Sequence, residues 1–474
     1  MKKFIVLSSL LLAGVSALSA CGDDGSSAAG DDGTNIDAGS GSDPGQDSGS
    51  STVMLDQPIT TDTTLTADKT YIIPRMTYLY VKNGATLTIQ PGTVIQGGMG
   101  SVLVITRGAK INAVGTVDKP ILLTTDQPSG SKTAGYWGGL LVLGNAPINV
   151  NVNSTPPATE AEYEAFTTAQ PEGMFGGTDP HDNSGTLKYI RIEFAGFSFI
   201  QDREFNNLTL CGVGDGTSVD YVQVHGGSDD GVEFFGGTVN VKHLVSSQNQ
   251  DDGFDTDNGW EGKAQFVVVQ NISHPTVPPE ATNGYESDNH GTAASYEAAP
   301  RTLPTMYNVT LIGDKDLGAG GLDYAAVFRR GTGGHYFNQV WVNFKSGIEF
   351  RDAATKTQLD AGNLFIKNSI LFNNDTSATN MPPAQPPVNN VPVDIDEASY
   401  INNAAWSNRV NVDPGLPATM MSKTAPSFKP SAGAAVLTGG ATPPNDGFFD
   451  ATATFVGAIG TTDWTAGWTA YPQN

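Results

Sequence analysis

The chain has 474 residues, and its 49 acidic against 25 basic side chains give a formal charge of −24 at pH 7. Such a charge repels nucleic acid and anionic membranes, so a nucleic-acid partner is not expected. With 56 glycines and 28 prolines, and almost no helix-forming pattern, the composition predicts an all-β body that is rich in turns.

The N-terminus has the pattern of an export signal. A basic start and an apolar run over residues 4–13 are followed by the string LSAC, which ends at Cys21. This string resembles the bacterial lipobox, so residues 1–20 are predicted to be removed and Cys21 to carry acyl chains such as palmitate. An ordinary signal peptide with a chance cysteine is the alternative. Because Gly22 rather than Asp follows, the resemblance implies an outer-membrane lipoprotein of the cell envelope, facing the periplasm or the outside.

The rest of the chain divides by composition. Residues 21–52 are almost wholly Gly, Ser, Asp and Ala, which predicts a flexible tether. No later segment is apolar over the roughly 18 residues of a membrane span, so lipid is the only anchor expected. The predicted body comprises a solenoid over residues 53–375, with excursions at 151–183 and 273–303, and C-terminal coils with a cap over 376–474.

An internal repeat predicts the architecture. The tripeptide DDG at residues 229–231 recurs at 251–253, and the flanking residues recur with the same displacement. The matched pairs are Val219 with Val241, Val222 with Leu244, and Glu233 with Asp255. A period of this length, with β-branched runs and Gly or Asn at the corners, is typical of a single-stranded parallel β-helix.

Smaller signals fall on the excursions and corners. Thr159 and Glu162 form a possible capping box, which predicts a short helix through Phe166. Cys211 lies in an alternating strand and is expected to be a buried core residue.

Three asparagines, Asn308, Asn338 and Asn368, each come just before a strand, and their amides are expected to stack along one corner. Trp464 and Trp468 are expected to cover the last coil, with a carbohydrate-stacking surface as the alternative.

Several strings carry a family resemblance. GYWGGLLVLGNAPIN, DNSGTLKYIRIEFAG, SDDGVEFFGGTVNVKHLV, DDGFDTD and DWTAGWT are similar to those of a bacterial lipoprotein family, mostly uncharacterised. The resemblance covers nearly everything after the tether and implies a right-handed parallel β-helix with a pectin-lyase-like fold. It implies no settled activity, because lyases, hydrolases, tailspikes and adhesins share this fold.

The repeat also predicts a stack of acids. Equivalent carboxylates on successive coils would lie about 4.8 Å apart, and such a stack needs protonation, nearby arginines or a hard cation. Oxygen ligands favour Ca²⁺. Turn chemistry of the Asp-Asp-Gly corners is the alternative. The predicted metal ligands are Asp229, Asp230, Glu233, Asp251, Asp252, Asp255 and Asp257, with Glu349 and Asp352 possible neighbours on later turns.

The same stack could be catalytic. Carboxylates on adjacent coils approach the spacing of about 5 to 5.5 Å that retaining glycosidases use, and a lyase would combine calcium with an arginine base. The arginines are the weak point of this hypothesis, because the role favoured for each of them is that of a counter-charge to the stack. The candidate catalytic residues are Asp252, Asp255, Glu233, Arg329, Arg330 and Arg351.

Loops that leave a solenoid commonly build the walls of its site, so a substrate pocket is expected near the second excursion. Its candidate residues are Tyr285, Glu286, Asp288, His290 and His335. The leading hypothesis is a lipid-anchored envelope β-helix that binds calcium and engages polysaccharide or an envelope protein along one face. The alternatives are a polysaccharide lyase or glycoside hydrolase, and a structural or adhesin-type spacer.

Overall fold

The computed structural model describes residues 51–152, 154, 158–166, 170–200, 203–272, 283–315, 324–374 and 395–474. The predictions for the signal segment, for Cys21 and for most of the tether fall outside these residues.

Short strands make up most of the regular structure. In chain order, the first coils contain β1 (Ser51–Met54), β2 (Thr63–Leu65), β3 (Lys69–Ile73), β4 (Tyr78–Val81), β5 (Thr86–Ile89), β6 (Val94–Gly97), β7 (Val102–Ile105), β8 (Lys110–Val114), β9 (Ile121–Thr125) and β10 (Leu140–Leu143). The middle of the chain contains β11 (Ala161–Glu162), β12 (Met174–Phe175), β13 (Gly185–Glu193), β14 (Ser198–Ile200), β15 (Arg203–Glu204), β16 (Leu208–Val213), β17 (Ser218–His225), β18 (Val232–Gly237), β19 (Asn240–Ser247), β20 (Phe254–Asp257) and β21 (Lys263–Gln270).

The last coils contain β22 (Tyr285–Ser287), β23 (Thr305–Ile312), β24 (Tyr324–Phe328), β25 (Gly334–Val342), β26 (Ser346–Phe350), helix α1 (Ala353–Ala361), β27 (Leu364–Lys367), β28 (Ile370–Phe372), helix α2 (Glu397–Ile401) and β29 (Arg409–Val410). Short 3₁₀ turns occupy Pro171–Gly173, Ala293–Ser295, Ala404–Trp406, Ala418–Met421 and Ala435–Leu437. Among the described residues, no helix has the length and apolar character to cross a bilayer.

The strands stack into two long parallel sheets, and the chain alternates between them as it coils. Sheet A follows the order β1-β3-β6-β9-β13-β17-β19-β21-β23-β25-β28-β29, and sheet B the order β4-β7-β10-β16-β18-β20-β22-β24-β26. The register predicted from the repeat is confirmed, because Val219 pairs with Val241 and Glu233 with Asp255. The fold is a right-handed parallel β-helix.

Each coil from β13 onward bends within its sheet A strand. The first half of β13 pairs with β8 and its second half with β9, with Tyr189 at the bend between them. Tyr189 has a positive φ of 50°, and the equivalent residue of each later coil has a φ between 51° and 61°. This column consists of Tyr189, Tyr221, His243, Phe266, Asn308, Asn338 and Asn368. Asparagine adopts the left-handed conformation at low cost.

Apolar residues fill the coil interior. Val232, Phe234, Phe254 and Trp260 are all fully buried there, and Phe234 stacks on Trp260 with ring centroids 4.2 Å apart. Cys211 is also fully buried, against the outer face of sheet B, as its strand pattern predicts.

The helix predicted for the first excursion is wrong. Ala161 and Glu162 instead form strand β11, which pairs with β12 in an antiparallel hairpin. The carboxylate of Glu162 accepts a hydrogen bond from the backbone of Gln170 at 2.6 Å rather than capping a helix. Tyr163 and Phe166 are buried on the outer face of sheet B, where their rings pack against each other. This tertiary packing outweighs the local helix signal.

The C-terminal segment (residues 411–474) lies along the outer face of sheet A. Its backbone bonds to Asn338 of β25, Asn308 of β23 and Gln223 of β17, so its contacts extend far beyond the last coil. Trp468 is buried and meets Tyr189 and Tyr221 edge-on, with ring centroids 5.8 and 5.9 Å apart. The prediction that Trp464 and Trp468 cover the last coil is therefore wrong, because Trp468 packs on β13 and β17, and Trp464 packs on His243 of β19.

The asparagine amides were expected to bond to one another along the corner, but two of them bond to the C-terminal segment instead. The amides of Asn308 and Asn338 donate to carbonyls of the C-terminal segment, at 2.7 Å to Phe455 and 2.8 Å to Ala441. The bend column therefore holds the C-terminal segment in place.

Gln223 offers a direct test of this attachment. Its side-chain amide donates to the carbonyl of Ala470 at 2.7 Å and accepts from the amide of the same residue at 2.9 Å. We expect Gln223→Ala to reduce the free energy of unfolding by about 1–3 kcal/mol, because it leaves a backbone donor and acceptor without partners. Denaturant unfolding followed by fluorescence measures the loss. The exposed Gln57→Ala is the control, and an equal effect of both variants would contradict the attachment.

Candidate metal centre

Among the described residues, an aromatic cover lies on the outer face of sheet B over its first coils, and the later coils carry acidic side chains on this face instead. Tyr163 and Phe166 of the first excursion pack there against Phe205, with ring centroids 5.5 and 6.2 Å apart. One column of this face continues from Cys211 to Phe235 and then to Asp257, so acids begin where the aromatic cover ends. We call the part of this face that is carried by β18, β20, β22, β24 and β26 the acidic face.

A second column of the acidic face stacks acids on consecutive coils. Glu233 pairs with Asp255, and Asp255 pairs with Glu286. Two coils later, Glu349 occupies the same column. Because parallel strands lie about 4.8 Å apart, these side chains are forced together by the register itself.

The Asp-Asp-Gly corners beside this column carry turn chemistry as well. One oxygen of Asp230 accepts the backbone amide of Asp252, and one oxygen of Asp252 accepts the amide of Asn283, both at 2.8 Å. Both carboxylates are at least 93% buried. The turn interpretation therefore accounts for one oxygen of each corner carboxylate and leaves the second available to another partner.

Within the part of the chain that the structure describes, three overlapping sets of carboxylates have oxygens within 4.8 Å of one another. The sets are Asp229, Asp230 and Asp251; then Asp230, Glu233 and Asp255; then Asp252, Asp255 and Glu286. Asp230 and Asp255 each belong to two sets. The Oδ1 atom of Asp255 is buried and has no hydrogen-bond partner among the described residues. This set of donors fits a hard cation, which would supply the missing partner.

Burial and mutual repulsion both oppose ionisation of these acids. Burial first, and then neighbouring carboxylates, raise the pKa of Asp230, Glu233 and Asp255 well above the usual range. The same causes raise the pKa of Asp257 and of Glu286 to about 7. In the absence of a cation, part of the acidic face is therefore protonated at neutral pH.

Arginines occupy the far end of the acidic face and are engaged in ion pairs. Arg329 Nε donates to both oxygens of Asp288, at 2.8 and 3.0 Å, and its Nη2 contacts Glu286. Arg330 Nη1 lies 2.6 Å from Asp288, and Arg351 pairs with Glu349.

The ion pairs determine whether these arginines can act as bases. Burial alone would lower the pKa of Arg329, but Asp288 and Glu286 hold it above its usual value. Arg329 therefore stays cationic and is poorly suited to accept a proton.

The matching family model, described as a pectate-lyase-like β-helix domain, covers residues 57–414. The chain belongs to this family. The assignment agrees with the parallel sheets and confirms the pectin-lyase-like β-helix that the resemblance implied. No curated protein and no solved structure matches the chain. Membership supports a carbohydrate-related or cell-surface role for this pectate-lyase-like β-helix.

The residues predicted to line a substrate pocket lie in different parts of the β-helix. Glu286 and Asp288 belong to the acidic face, but Tyr285 is 2% exposed and points inward, where its hydroxyl donates to Gln339 at 3.0 Å. Both ring nitrogens of His290 are engaged by backbone groups at 3.0 Å.

His335 lies in sheet A and stacks on Phe365, with ring centroids 4.6 Å apart. Strand β22 also shows that part of the second excursion is a coil strand of sheet B. The sequence signal of this segment was too short to separate a three-residue strand from a loop.

Three residues of the site were not predicted. Asn206 donates to Glu233 at 2.5 Å, which stabilises the charged form of this acid. Burial and Asp251 raise the pKa of Asp229, and the charges of Glu204 in β15 and Glu164 in the first excursion raise it further. No local pattern reveals these neighbours, because Glu164 lies in the first excursion, and Asn206 and Glu204 lie in the short segment before β16.

The raised pKa values predict how stability depends on pH. A carboxylate whose pKa is higher in the folded state stabilises the fold when protonated, and this contribution is lost as pH rises through the folded value. In chelator, we expect the melting temperature of this pectate-lyase-like β-helix to fall as pH increases from about 4 to above 7, the range between the ordinary pKa and those of Asp257 and Glu286. Calorimetry across this range, with and without calcium, tests the expectation. A melting temperature that rises over the same range in chelator would contradict it.

Proposed function

We propose that this protein is a calcium-binding β-helix of the cell envelope that engages polysaccharide along its acidic face. The observation that carries the proposal is the position of Asp255. Its carboxylate belongs to two of the three carboxylate sets, and its Oδ1 is buried without a hydrogen-bond partner among the described residues. Burying an unpaired charge is costly, and a bound cation removes that cost.

The chemistry of the ligands favours calcium. Each of the three sets consists of carboxylates alone, with no histidine or cysteine among them. Ca²⁺ takes six to eight oxygen ligands in flexible geometry, whereas Zn²⁺ favours nitrogen and sulfur. An exported protein, as the signal segment predicts, would meet calcium at concentrations that fill even weak sites.

The shape of the acidic face supports a role in binding a long polymer. The first excursion closes the face at one end, and Arg329 and Arg351 border it at the other. Between them the column of acids follows the axis of the coils, so an extended chain would pass several equivalent positions. A bound cation would let this negative surface attract the oxygens of a glycan. The predicted lipid on Cys21 would hold the body at the outer membrane.

The variant Asp255→Asn tests the metal site. Because the substitution removes a buried charge, we expect the metal-free protein at pH 8 to melt at a higher temperature than the wild type. Because it also removes a shared ligand, we expect calcium affinity to fall by at least about tenfold, since affinity follows the charge of the ligands. Titration calorimetry with calcium and melting curves in chelator measure the two effects.

Glu261→Gln is the control, because Glu261 is exposed and belongs to none of the three carboxylate sets. The control should leave both quantities unchanged. Undiminished calcium affinity in Asp255→Asn, or no calcium binding by the wild type, would refute the proposed site.

A glycoside hydrolase is the second candidate function. Asp255 and Glu286 have carboxylate oxygens within 4.8 Å, and the raised pKa of Glu286, about 7, suits a general acid. A lyase is less well supported, because the arginine that would serve as its base is held in ion pairs.

Release of reducing ends tests the enzymatic alternatives. The protein would be incubated in millimolar calcium with plant, algal and bacterial polysaccharides. A hydrolase would release reducing ends from at least one of them, and Glu286→Gln would reduce the rate by about 10²-fold or more, the contribution typical of acid catalysis. Under the binding proposal no reducing ends appear, although polysaccharide is retained in affinity electrophoresis.

A further inference from the structure

A second groove lies away from the acidic face. It is formed at the corners that follow β4, β7 and β10, where three successive coils meet the first excursion. Its volume is about 530 Å³, which falls within the usual range of sites for small ligands. Its polar lining residues are Lys82, Asn83, Arg107, Asn145, Glu160 and Glu172.

Two ion pairs join the coils to the excursion across this groove. Lys82 Nζ lies 2.7 Å from Glu172, and an Arg107 nitrogen lies 2.8 Å from Glu160. Arg107 also donates to the carbonyl of Gly176 at 2.9 Å, which fixes its position. Each pair remains partly accessible, with Lys82 28% and Glu172 29% exposed. The charged side chains therefore face the groove in a fixed arrangement.

The charges of these four side chains cancel, in contrast with the chain as a whole. A carboxylate beside an ammonium or guanidinium group presents an acceptor and donors next to each other. Neighbouring hydroxyl groups of a sugar need this combination, because each hydroxyl both donates and accepts. Asn83 can add a neutral amide contact, whereas the amide of Asn145 already donates to Asp182 at 3.0 Å. A groove with balanced charge offers no net attraction to an anionic sugar.

We propose that this groove binds a neutral carbohydrate through its hydroxyl groups, without calcium. The site is separate from the acidic face and goes beyond the function proposed above. Together the two sites would hold glycan at both a neutral and an acidic surface, so that one polymer or two could be engaged at once.

The test uses neutral hexasaccharides of glucose, mannose and galactose as probes, titrated calorimetrically into the protein in the presence of chelator. We expect at least one of them to bind. The double variant Lys82→Met/Glu172→Gln should weaken that binding by at least about tenfold, because charge-assisted hydrogen bonds to the sugar are lost. Glu160→Gln alters the second ion pair alone and should also weaken it.

The matched control is Lys356→Met/Asp360→Asn, which removes an ion pair of the same 2.7 Å length from helix α1. This control should leave sugar binding unchanged, and melting curves show whether each variant is folded. Asp255→Asn should also leave it unchanged, which separates this site from the acidic face. The proposal is overturned if no hexasaccharide binds, if binding requires calcium, or if Glu160→Gln and the double variant bind as the wild type does.

Discussion

Parallel register is the constraint on which the rest of this structure depends. Each coil places its residues directly above those of the previous coil, about 4.8 Å away, so any residue type that recurs with the repeat forms a column. Apolar columns make the interior. The same rule forces Glu233, Asp255 and Glu286 together on the outside. The stack of like charges is therefore a direct consequence of the parallel register.

Different segments of the chain cover the outer faces of the two sheets. The C-terminal segment covers much of sheet A and binds its bend column through side-chain amides. The first excursion covers sheet B only over the early coils, through Tyr163 and Phe166. The later coils carry the acidic face, and there repulsion is reduced by protonation, by Arg329 and Arg351, and, in our proposal, by calcium. The acidic face is therefore where function is expected.

The sequence predicts the columns well because they follow from a repeat. The alignment of Glu233 with Asp255 needed only the recurrence of Asp-Asp-Gly and the rule of parallel stacking. The excursions have no repeat to guide interpretation. The capping pattern at Thr159 indicated a helix, but burial of Tyr163 and Phe166 against sheet B produced a hairpin. For the same reason, Glu164 could not be assigned to the site before the structure showed what lies beside the acids.

The central claim is that a cation occupies the acidic face at Asp255. A crystal structure of the protein grown in calcium, with anomalous data from a terbium-soaked crystal to locate the ion, tests this most directly. Our account predicts an anomalous peak coordinated by Asp255 together with members of one or both of its carboxylate sets. Strong peaks only at other surface carboxylates, or an acidic face without a peak in saturating calcium or terbium, would contradict it.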